Sequence, residues 1–315
     1  MTNDIEKLYA EIQKGNENII AQAISMVEDG TKNGLKLMKK IYKNVEPAYM
    51  VGISGPPGSG KSTLTQRIVQ LWRKQNKKVG IIAIDPTSHF SGGALLGDRV
   101  RMNEISTDPN VFIRSMATRG SLGGLNSSIY DTVLIFSLAG FDYIIIETVG
   151  VGQNEIDIVK LADTTVFVTV PEAGDEIQAY KAGLMEVGDI FVVNKSDRPN
   201  SQQMVLTIEQ LVSFKDEDKE WKPPVISTNA LKNKGISDIK DWITKHHDYL
   251  LDNKLLKENR KQVIKAQMIN LMEKTLNEKY IKPILEDEKF PEHIEQIYDK
   301  KKDPYSTVEE LMPFD

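Results

Sequence analysis

One short stretch of the chain has the residue types and spacing of a phosphate-binding loop. It reads GPPGSGKST and fits the pattern G-x-x-x-x-G-K-[ST], whose backbone N–H groups turn inward around phosphate oxygens. We expect Lys61 to reach the β- and γ-phosphates and the hydroxyl of Ser62 to bind Mg²⁺. A chance glycine-rich turn is the alternative. The predicted phosphate-binding residues are Gly55, Pro56, Pro57, Gly58, Ser59, Gly60, Lys61, Ser62 and Thr63.

A second stretch could select the base of the nucleotide. NKSD, from Asn194 to Asp197, follows an apolar run, and the Asp197 carboxylate can accept both the ring N–H and the amino group of guanine. We expect Asn194 to brace the loop and the stem of Lys195 to lie over the base. A simple turn at a strand end is the alternative. Further along, the stretch STNAL predicts a loop whose alanine turns its backbone N–H toward the guanine oxygen. Its residues in the predicted guanine site are Thr228, Asn229 and Ala230.

Three acidic residues could complete a Mg²⁺ site together with Ser62. Asp85 and Glu147 each end an apolar run, and Asp98 lies in the loop that follows Asp85. Because Mg²⁺ keeps several waters in an octahedron of hard oxygens, some of these acids would act through water. Glu147 opens the stretch ETVG, where the N–H of Gly150 can reach the γ-phosphate. A valine follows Gly150 where Ras has its water-orienting glutamine, so a Ras-type mechanism is not predicted.

The segments around these stretches predict an α/β fold. Short apolar runs rich in β-branched residues alternate with helical patterns, as parallel strands buried on both faces require. The runs cover residues 49–53, 79–84, 111–113, 143–146, 165–170 and 190–193. We therefore predict a P-loop NTPase fold with a doubly wound, mostly parallel sheet in residues 47–250. Residues 1–46 predict an N-terminal helical extension, and residues 251–315 predict a charged C-terminal helical arm with an uncovered apolar stripe.

Composition limits the partners and the compartment. The 315 residues carry a net charge of −5, which argues against general nucleic-acid binding because phosphate backbones are held by basic surfaces. The chain has no cysteine, so it has neither a disulfide framework nor a thiolate metal site. It begins without the pattern of a signal peptide, and no apolar run reaches the roughly 18 residues of a membrane span. We expect a cytoplasmic protein that binds neither nucleic acid nor membrane.

Several stretches together resemble one family of GTPases. They are GPPGSGKST at 55–63, DPTSHFSGGALLGDRVRM at 85–102, FIRSMATRGSLGGL at 112–125, ETVGVGQNE at 147–155, AGDEIQAYK at 173–181, NKSD at 194–197, and DPYSTVEEL near the end of the chain. In these stretches the sequence resembles the methylmalonyl-CoA mutase-associated GTPases, the MeaB/ArgK/MMAA group. The resemblance implies that GTP or GDP binds with Mg²⁺. It also implies a chaperone of an adenosylcobalamin-dependent acyl-CoA mutase that gates cofactor loading and protects or reactivates the mutase.

The resemblance implies roles for individual residues as well. The residues with implied catalytic or switching roles are Lys61, Asp85, Glu147 and Lys181. The residues implied around the metal are Ser62, Asp85, Asp98 and Glu147. Lys181 matches a switch loop that responds to the partner. The family pattern further implies a homodimer formed through the C-terminal helical dimerisation arm, which would cover the apolar stripe.

Other interpretations of parts of the sequence compete with this one. A kinase that phosphorylates a transport protein would share the P-loop but would need a site for an acceptor hydroxyl. A nickel-insertion GTPase would need Cys/His ligands, and a chain with four histidines and no cysteine is poorly suited to that chemistry. Arg114 and Arg119 could be arginine fingers or ion-pair partners. Adjacent His246 and His247 could form a metal-binding pair. Because neighbours on a helix point to different sides and no third ligand is near in sequence, surface positions are favoured instead.

Overall fold

Seven strands form one sheet in which all neighbouring strands are parallel, in the order β3-β2-β4-β1-β5-β6-β7. The computed structural model describes residues 2–86, 104–118, 127–148, 161–173, 188–215 and 220–312. The strands are β1 Tyr49–Ser54, β2 Val79–Pro86, β3 Val111–Thr118, β4 Tyr143–Thr148, β5 Thr164–Thr169, β6 Ile190–Val193 and β7 Val225–Ser227. The predicted parallel α/β sheet is therefore confirmed. Each apolar run of the sequence became a strand because its β-branched residues fill both faces of a buried sheet.

Helices precede, connect and follow the strands. They are α1 Thr2–Gln13, α2 Glu17–Glu28, α3 Lys32–Asn44, α4 Lys61–Lys74, α5 Ser127–Leu138, α6 Ser201–Lys215, α7 Ile236–Asp252, α8 Leu255–Leu276, α9 Lys282–Leu285, α10 Phe290–Tyr298 and α11 Pro304–Leu311. A single π-helical turn, Asn277–Ile281, lies between α8 and α9, and a short 3-10 turn, Pro171–Ala173, follows β5. None of the described helices combines the length and apolar character that crossing a membrane requires.

The strand order places one crevice at the carboxyl edge beside β1. The chain runs from β1 to β2, β3 and β4 on one side of it, and then crosses to β5, β6 and β7 on the other. In open parallel sheets, ligands bind outside the carboxyl ends of the strands where the winding changes direction. The P-loop follows β1 directly, so the topology sets it at this crevice.

Two large apolar clusters, and a smaller one that packs α6 against β5 and β6, hold the helices against the sheet. One cluster joins α1, α2 and α3 with α5 and includes Ile24, Leu37 and Phe136, which are completely buried. The other joins α4 and α7 to the sheet through residues such as Trp72 and Ile243.

Two of the N-terminal helices are capped by side chains. Asn16 and Thr31 accept hydrogen bonds from backbone N–H groups in the first turns of α2 and α3, donors that would otherwise lack a partner within the helix.

The chain divides into two compact units, Met1–Val263 and Ile264–Asp315, and the division falls within α8. In the first unit, Arg260 makes a fork-like pair with Asp163, with Nε–Oδ1 and Nη2–Oδ2 distances of 2.9 and 2.8 Å. Arg260 also donates to the carbonyl of Pro47 at 3.0 Å, and Asp163 accepts from the backbone N–H of Met50 at 2.9 Å. The first turns of α8 are thereby fixed to the chain segments that lead into β1 and β5.

The second unit exposes many apolar side chains on its helices. Residues exposed by more than half include Met268, Met272, Leu276, Tyr280, Leu285, Ile294, Tyr298, Tyr305 and Val308. The predicted boundaries of three zones at residues 46 and 250 stay a prediction.

Candidate functional site

The side chain of the P-loop lysine bonds to the backbone of the P-loop itself. Lys61 begins α4 and is buried, and its Nζ donates to the carbonyls of Gly55 at 2.7 Å and Pro56 at 3.0 Å. Gly60, the residue before it, has a φ of +93°, and a Cβ there would lie 2.4 Å from Nδ2 of Asn194. Only glycine fits both the left-handed backbone and this close approach. The loop therefore places an ammonium group among inward-facing backbone groups at the start of a helix, where anions are favoured.

The carboxylate of Glu147 faces the same helix start. Glu147 lies near the end of β4, opposite Ile53 of β1, and is 5% exposed. The hydroxyl of Ser62 donates to Oε1 at 2.6 Å, and the hydroxyl of Thr65 donates to Oε2 at 2.7 Å. Ser62 and Glu147 thus present hard oxygens next to the phosphate-binding loop.

These oxygens fit a Mg²⁺ site that is mostly completed by water and phosphate. Mg²⁺ binds hard oxygen ligands and usually takes only one or two of them from the protein beside nucleotide phosphates. Among residues with described side chains, no group of three or more His, Cys, Asp and Glu could hold a metal ion. A hydroxyl with one carboxylate beside a P-loop is the donor set that a nucleotide-bound Mg²⁺ uses, whereas a metal bound by protein alone would need more ligands.

Asn194 joins three segments that are distant in sequence. Its Nδ2 donates to the carbonyl of Ser59 in the P-loop at 2.8 Å. Its Oδ1 accepts from the N–H of Ala230 at 3.1 Å and from the hydroxyl of Thr228 at 3.3 Å. The side chain is 3% exposed, so these bonds form away from water. Asn194, which the sequence predicts to brace its loop, thus bonds directly to the P-loop and to the loop that contains Thr228 and Ala230.

The rest of the NKSD stretch lies along the rim of the cleft. Lys195 has a φ of +58°, and its Nζ donates to the carbonyl of Gly58 at 2.7 Å. Asp197 is half-exposed and pairs with Lys232, with an Oδ2–Nζ distance of 3.3 Å. The pKa of the Asp197 carboxyl is lowered, first because its own backbone N–H donates to it and then because Lys232 does. Asp197 is therefore an anionic acceptor at neutral pH.

Most of the predicted residues line one open cleft of about 570 Å³. Its predicted lining residues are Pro57, Gly58, Gly60, Lys61, Ser62, Thr63, Glu147, Asn194, Lys195, Asp197, Asn229 and Ala230. The predicted residues Gly55, Pro56, Ser59 and Thr228 stand behind this lining and bond to Lys61 or Asn194. The cleft thus has a cationic group at the P-loop and an anionic acceptor at the NKSD stretch.

Some residues of the site were not predicted from the sequence. The cleft is also lined by Thr148, Arg198 and Leu231. Thr65 does not line it but bonds to Glu147, which does. Leu231 is 79% exposed, and a single exposed leucine is too common to mark a site in a sequence. Thr65 could have been noticed as the polar member of an otherwise apolar helix face.

Three predicted residues, Asp98, Gly150 and Lys181, lie outside the described residues, as does Arg119. Only the backbone of Asp85 is described. It follows Ile84, which pairs with Thr148 in the neighbouring strand, so Asp85 and the Glu147 strand end lie at the same carboxyl edge of the sheet.

Two other residues are placed away from the cleft. The predicted surface position of His246 is wrong: the residue is 3% exposed, and its Nδ1 lies 2.7 Å from the hydroxyl of Thr164. The structure supports the ion-pair interpretation of Arg114, which pairs with Glu28 of α2. Both residues connect elements of the first unit, because His246 of α7 bonds to Thr164 of β5 and Arg114 of β3 pairs with Glu28 of α2.

Comparison with known proteins gives a consistent result. The family model described as "Methylmalonyl Co-A mutase-associated GTPase MeaB" matches residues 20–283. A protein of Pyrococcus abyssi with a provisional GTPase name is 45% identical over 311 residues, covering 98% of this chain and 96% of that protein. The mitochondrial methylmalonic aciduria type A homolog of Mus musculus is 32% identical, covering 88% of this chain and 71% of that protein.

One solved structure is similar over the full length. The crystal structure of a LAO/AO transport system kinase has a TM-score of 0.70 and 23% identity, and it covers 99% of this chain and 97% of its own. At that identity the likeness shows the fold alone. The family match and the relatives, together with the cleft described above, decide the family: the chain belongs to the methylmalonyl-CoA mutase-associated GTPases, the MeaB family, and is a GTPase.

Proposed function

We propose that this GTPase is a chaperone of an adenosylcobalamin-dependent acyl-CoA mutase, with methylmalonyl-CoA mutase as the first candidate. In this role it gates the loading of the cofactor and protects or reactivates the mutase. The support is the family description, which is mutase-associated, and the name of the mouse relative, which refers to methylmalonic aciduria. The structural observation that carries the nucleotide part is the three-way bond of Asn194, which joins the phosphate-binding and base-binding loops in one cleft.

Each part of the cleft has a role in binding GTP or GDP. Lys61 would exchange its carbonyl partners for β- and γ-phosphate oxygens, which are stronger acceptors because they are charged. Asp197 would accept the two N–H groups of guanine, and the N–H of Ala230 would face the guanine oxygen. Because adenine cannot offer that pair of donors, the anionic state of Asp197 supports a preference for GTP.

The residues near Ser62 would hold Mg²⁺. The bound ion would supply charge neutralisation on the phosphates, while Ser62 and Glu147 position it through their oxygens. Asp85, at the same edge of the sheet, and Asp98, outside the described residues, remain candidate acids. The N–H of Gly150 remains a candidate γ-phosphate contact. We expect hydrolysis on this cleft alone to be slow. Of the two arginines considered as fingers, Arg114 is held by Glu28, and Arg119 lies outside the described residues.

The C-terminal unit supports a homodimer. Its helices expose tyrosine, leucine and methionine side chains that would be covered by a second copy of the chain. Lys181 remains the candidate switch residue that responds to the mutase, and the cytoplasm remains the proposed compartment.

Co-purification tests the partnership. The tagged chain would be loaded with GDP or with a non-hydrolysable GTP analogue and used to capture proteins from its source cell. We expect an acyl-CoA mutase to be retained with one nucleotide more than with the other. Capture of no mutase with either nucleotide would count against the chaperone role.

The fate of the γ-phosphate separates the proposal from a kinase. With GTP labelled at the γ-position, we expect the label to appear only as inorganic phosphate. Label covalently attached to a protein would instead support the kinase interpretation. The Lys61→Ala variant provides the blank, because removal of its ammonium group should abolish hydrolysis.

A further inference from the structure

The sheet-facing side of α4 contains a buried polar residue to which the nucleotide-binding pattern assigns nothing. Thr65 lies in a stripe with Ile68, Val69 and Trp72, at the i, i+3, i+4 and i+7 spacing of one helix face, and all four side chains are buried. The other three are apolar members of the core between α4 and the sheet. Because burial of a hydroxyl is unfavourable without a hydrogen bond, the choice of threonine here calls for a reason.

That reason is the carboxylate of Glu147. Thr65 is 0% exposed, and its Oγ1 donates to Oε2 of Glu147 at 2.7 Å. Ser62 lies one turn earlier on the same face and donates to Oε1 at 2.6 Å. A hydroxyl has a single hydrogen to donate, so Thr65 gives its hydrogen to Glu147 and not to a carbonyl of its own helix. Each oxygen of the carboxylate is therefore engaged by a different hydroxyl of α4.

We propose that Thr65 is a positioning residue of the Mg²⁺ site that acts through Glu147. By engaging Oε2, Thr65 turns Oε1 toward Ser62 and fixes the rotation of the carboxylate. Because Ser62 donates its hydrogen to Oε1, the lone pairs of the Ser62 oxygen stay available to a cation. This inference rests on the metal-binding roles proposed for Ser62 and Glu147, and it is independent of the mutase partnership.

A purely structural role for Thr65 gives a different result from a positioning role. If the hydrogen bond of Thr65 only stabilised the core, its loss would lower the stability of the fold. Any loss of nucleotide affinity would then be the same with and without Mg²⁺. If it orients Glu147, its loss would weaken the part of binding that depends on Mg²⁺. The Mg²⁺ concentration that gives half of the maximal gain in GDP affinity is therefore the quantity to measure.

Three variants of the full-length chain make the comparison. Thr65→Val keeps the shape of the side chain and removes the hydroxyl, whereas Thr65→Ser keeps the hydroxyl. The matched control is Thr132→Val in α5, because Thr132 is equally buried and its hydroxyl donates to the carbonyl of Ser128, 2.7 Å away in its own helix. Fluorescent GDP is titrated into each variant with EDTA and then over a range of Mg²⁺ concentrations.

We expect Thr65→Val to raise the half-saturating Mg²⁺ concentration by about 10-fold to 100-fold, the usual effect of removing a partner of a metal-site residue. Its affinity for GDP in EDTA should equal that of the wild type. Thr65→Ser and Thr132→Val should both keep the Mg²⁺ dependence of the wild type.

Other results overturn the inference. One is an unchanged Mg²⁺ dependence in Thr65→Val, and another is an equal loss of GDP affinity with and without Mg²⁺. A Thr65→Ser variant as impaired as Thr65→Val would also overturn it. If wild-type protein binds GDP equally with and without Mg²⁺, the proposed metal site fails together with this inference, and the mutase partnership is left to its own test.

Discussion

Replacement of Asn194 by alanine should weaken the cleft by a predictable amount. The side chain makes bonds of 2.8 Å to Ser59, 3.1 Å to Ala230 and 3.3 Å to Thr228, all of them buried. A net contribution of about 1 kcal/mol for each of the two shorter bonds, with less for the longest, gives about 2–3 kcal/mol. This is the free energy that the braced arrangement of the three loops would lose.

The lost free energy can lower the free energy of unfolding, the affinity for GDP, or both, and the sum of the two losses is fixed. If the loops stay in place in the variant, the loss lowers the free energy of unfolding. If the loops relax, the protein recovers stability but binds nucleotide through a less populated arrangement, so the affinity for GDP falls. In either case the total free energy from unfolded chain and free GDP to the folded complex should fall by about 2–3 kcal/mol. If all of it appeared as affinity, the dissociation constant would rise about 30-fold to 150-fold.

The assay combines urea denaturation of the nucleotide-free protein with calorimetric titration of GDP. The control is Asn44→Ala, because the exposed Asn44 donates to the carbonyl of Lys40 at 2.7 Å, at the end of α3 and outside the residues that line the cleft. The control should lose less than about 0.5 kcal/mol in total, as surface substitutions usually do. A similarly small total for Asn194→Ala would refute the bracing role.

Two further changes test the base site and the anchor of α8. Asp197→Asn should weaken the preference for GTP over xanthosine triphosphate, because the anionic acceptor is replaced by an amide; unchanged discrimination in competition binding would mean that the base is read elsewhere. Arg260→Ala should lower the free energy of unfolding by about 3 kcal/mol, since it leaves the buried carboxylate of Asp163 without its charged partner. GDP affinity should be retained in Arg260→Ala, and a normal unfolding midpoint would show that the pair adds nothing.

The sequence predicted the strands and the cleft well because both depend on local patterns. A buried parallel strand must be apolar on both faces, and the loops at its carboxyl end carry their own glycine, lysine and aspartate residues. Thus Lys61 and Asp197 could be assigned to one cleft before the sheet order was known. The family resemblance added the expected partner, which no local pattern contains.

The pairing of distant residues could not be predicted in the same way. Thr65 and Glu147 meet only because β4 lies beside β1 in the sheet, and the sequence between them does not fix that order. His246 was misassigned for a different reason. It falls on the buried face of its helix, at helical spacing from Ile239 and Ile243, and that spacing was a usable signal in the sequence. In the structure its ring contacts Trp221 and bonds to the hydroxyl of Thr164.

Single-turnover hydrolysis of GTP tests the central claim most directly. The rate constant is measured for the chain alone and for the chain with its candidate acyl-CoA mutase, and Lys61→Ala with the same mutase serves as the blank for contaminating activity. We predict that the mutase raises the rate constant by about 10-fold or more, which corresponds to about 1.4 kcal/mol of the activation barrier. Equal rate constants with and without the mutase would contradict a GTPase regulated by that partner.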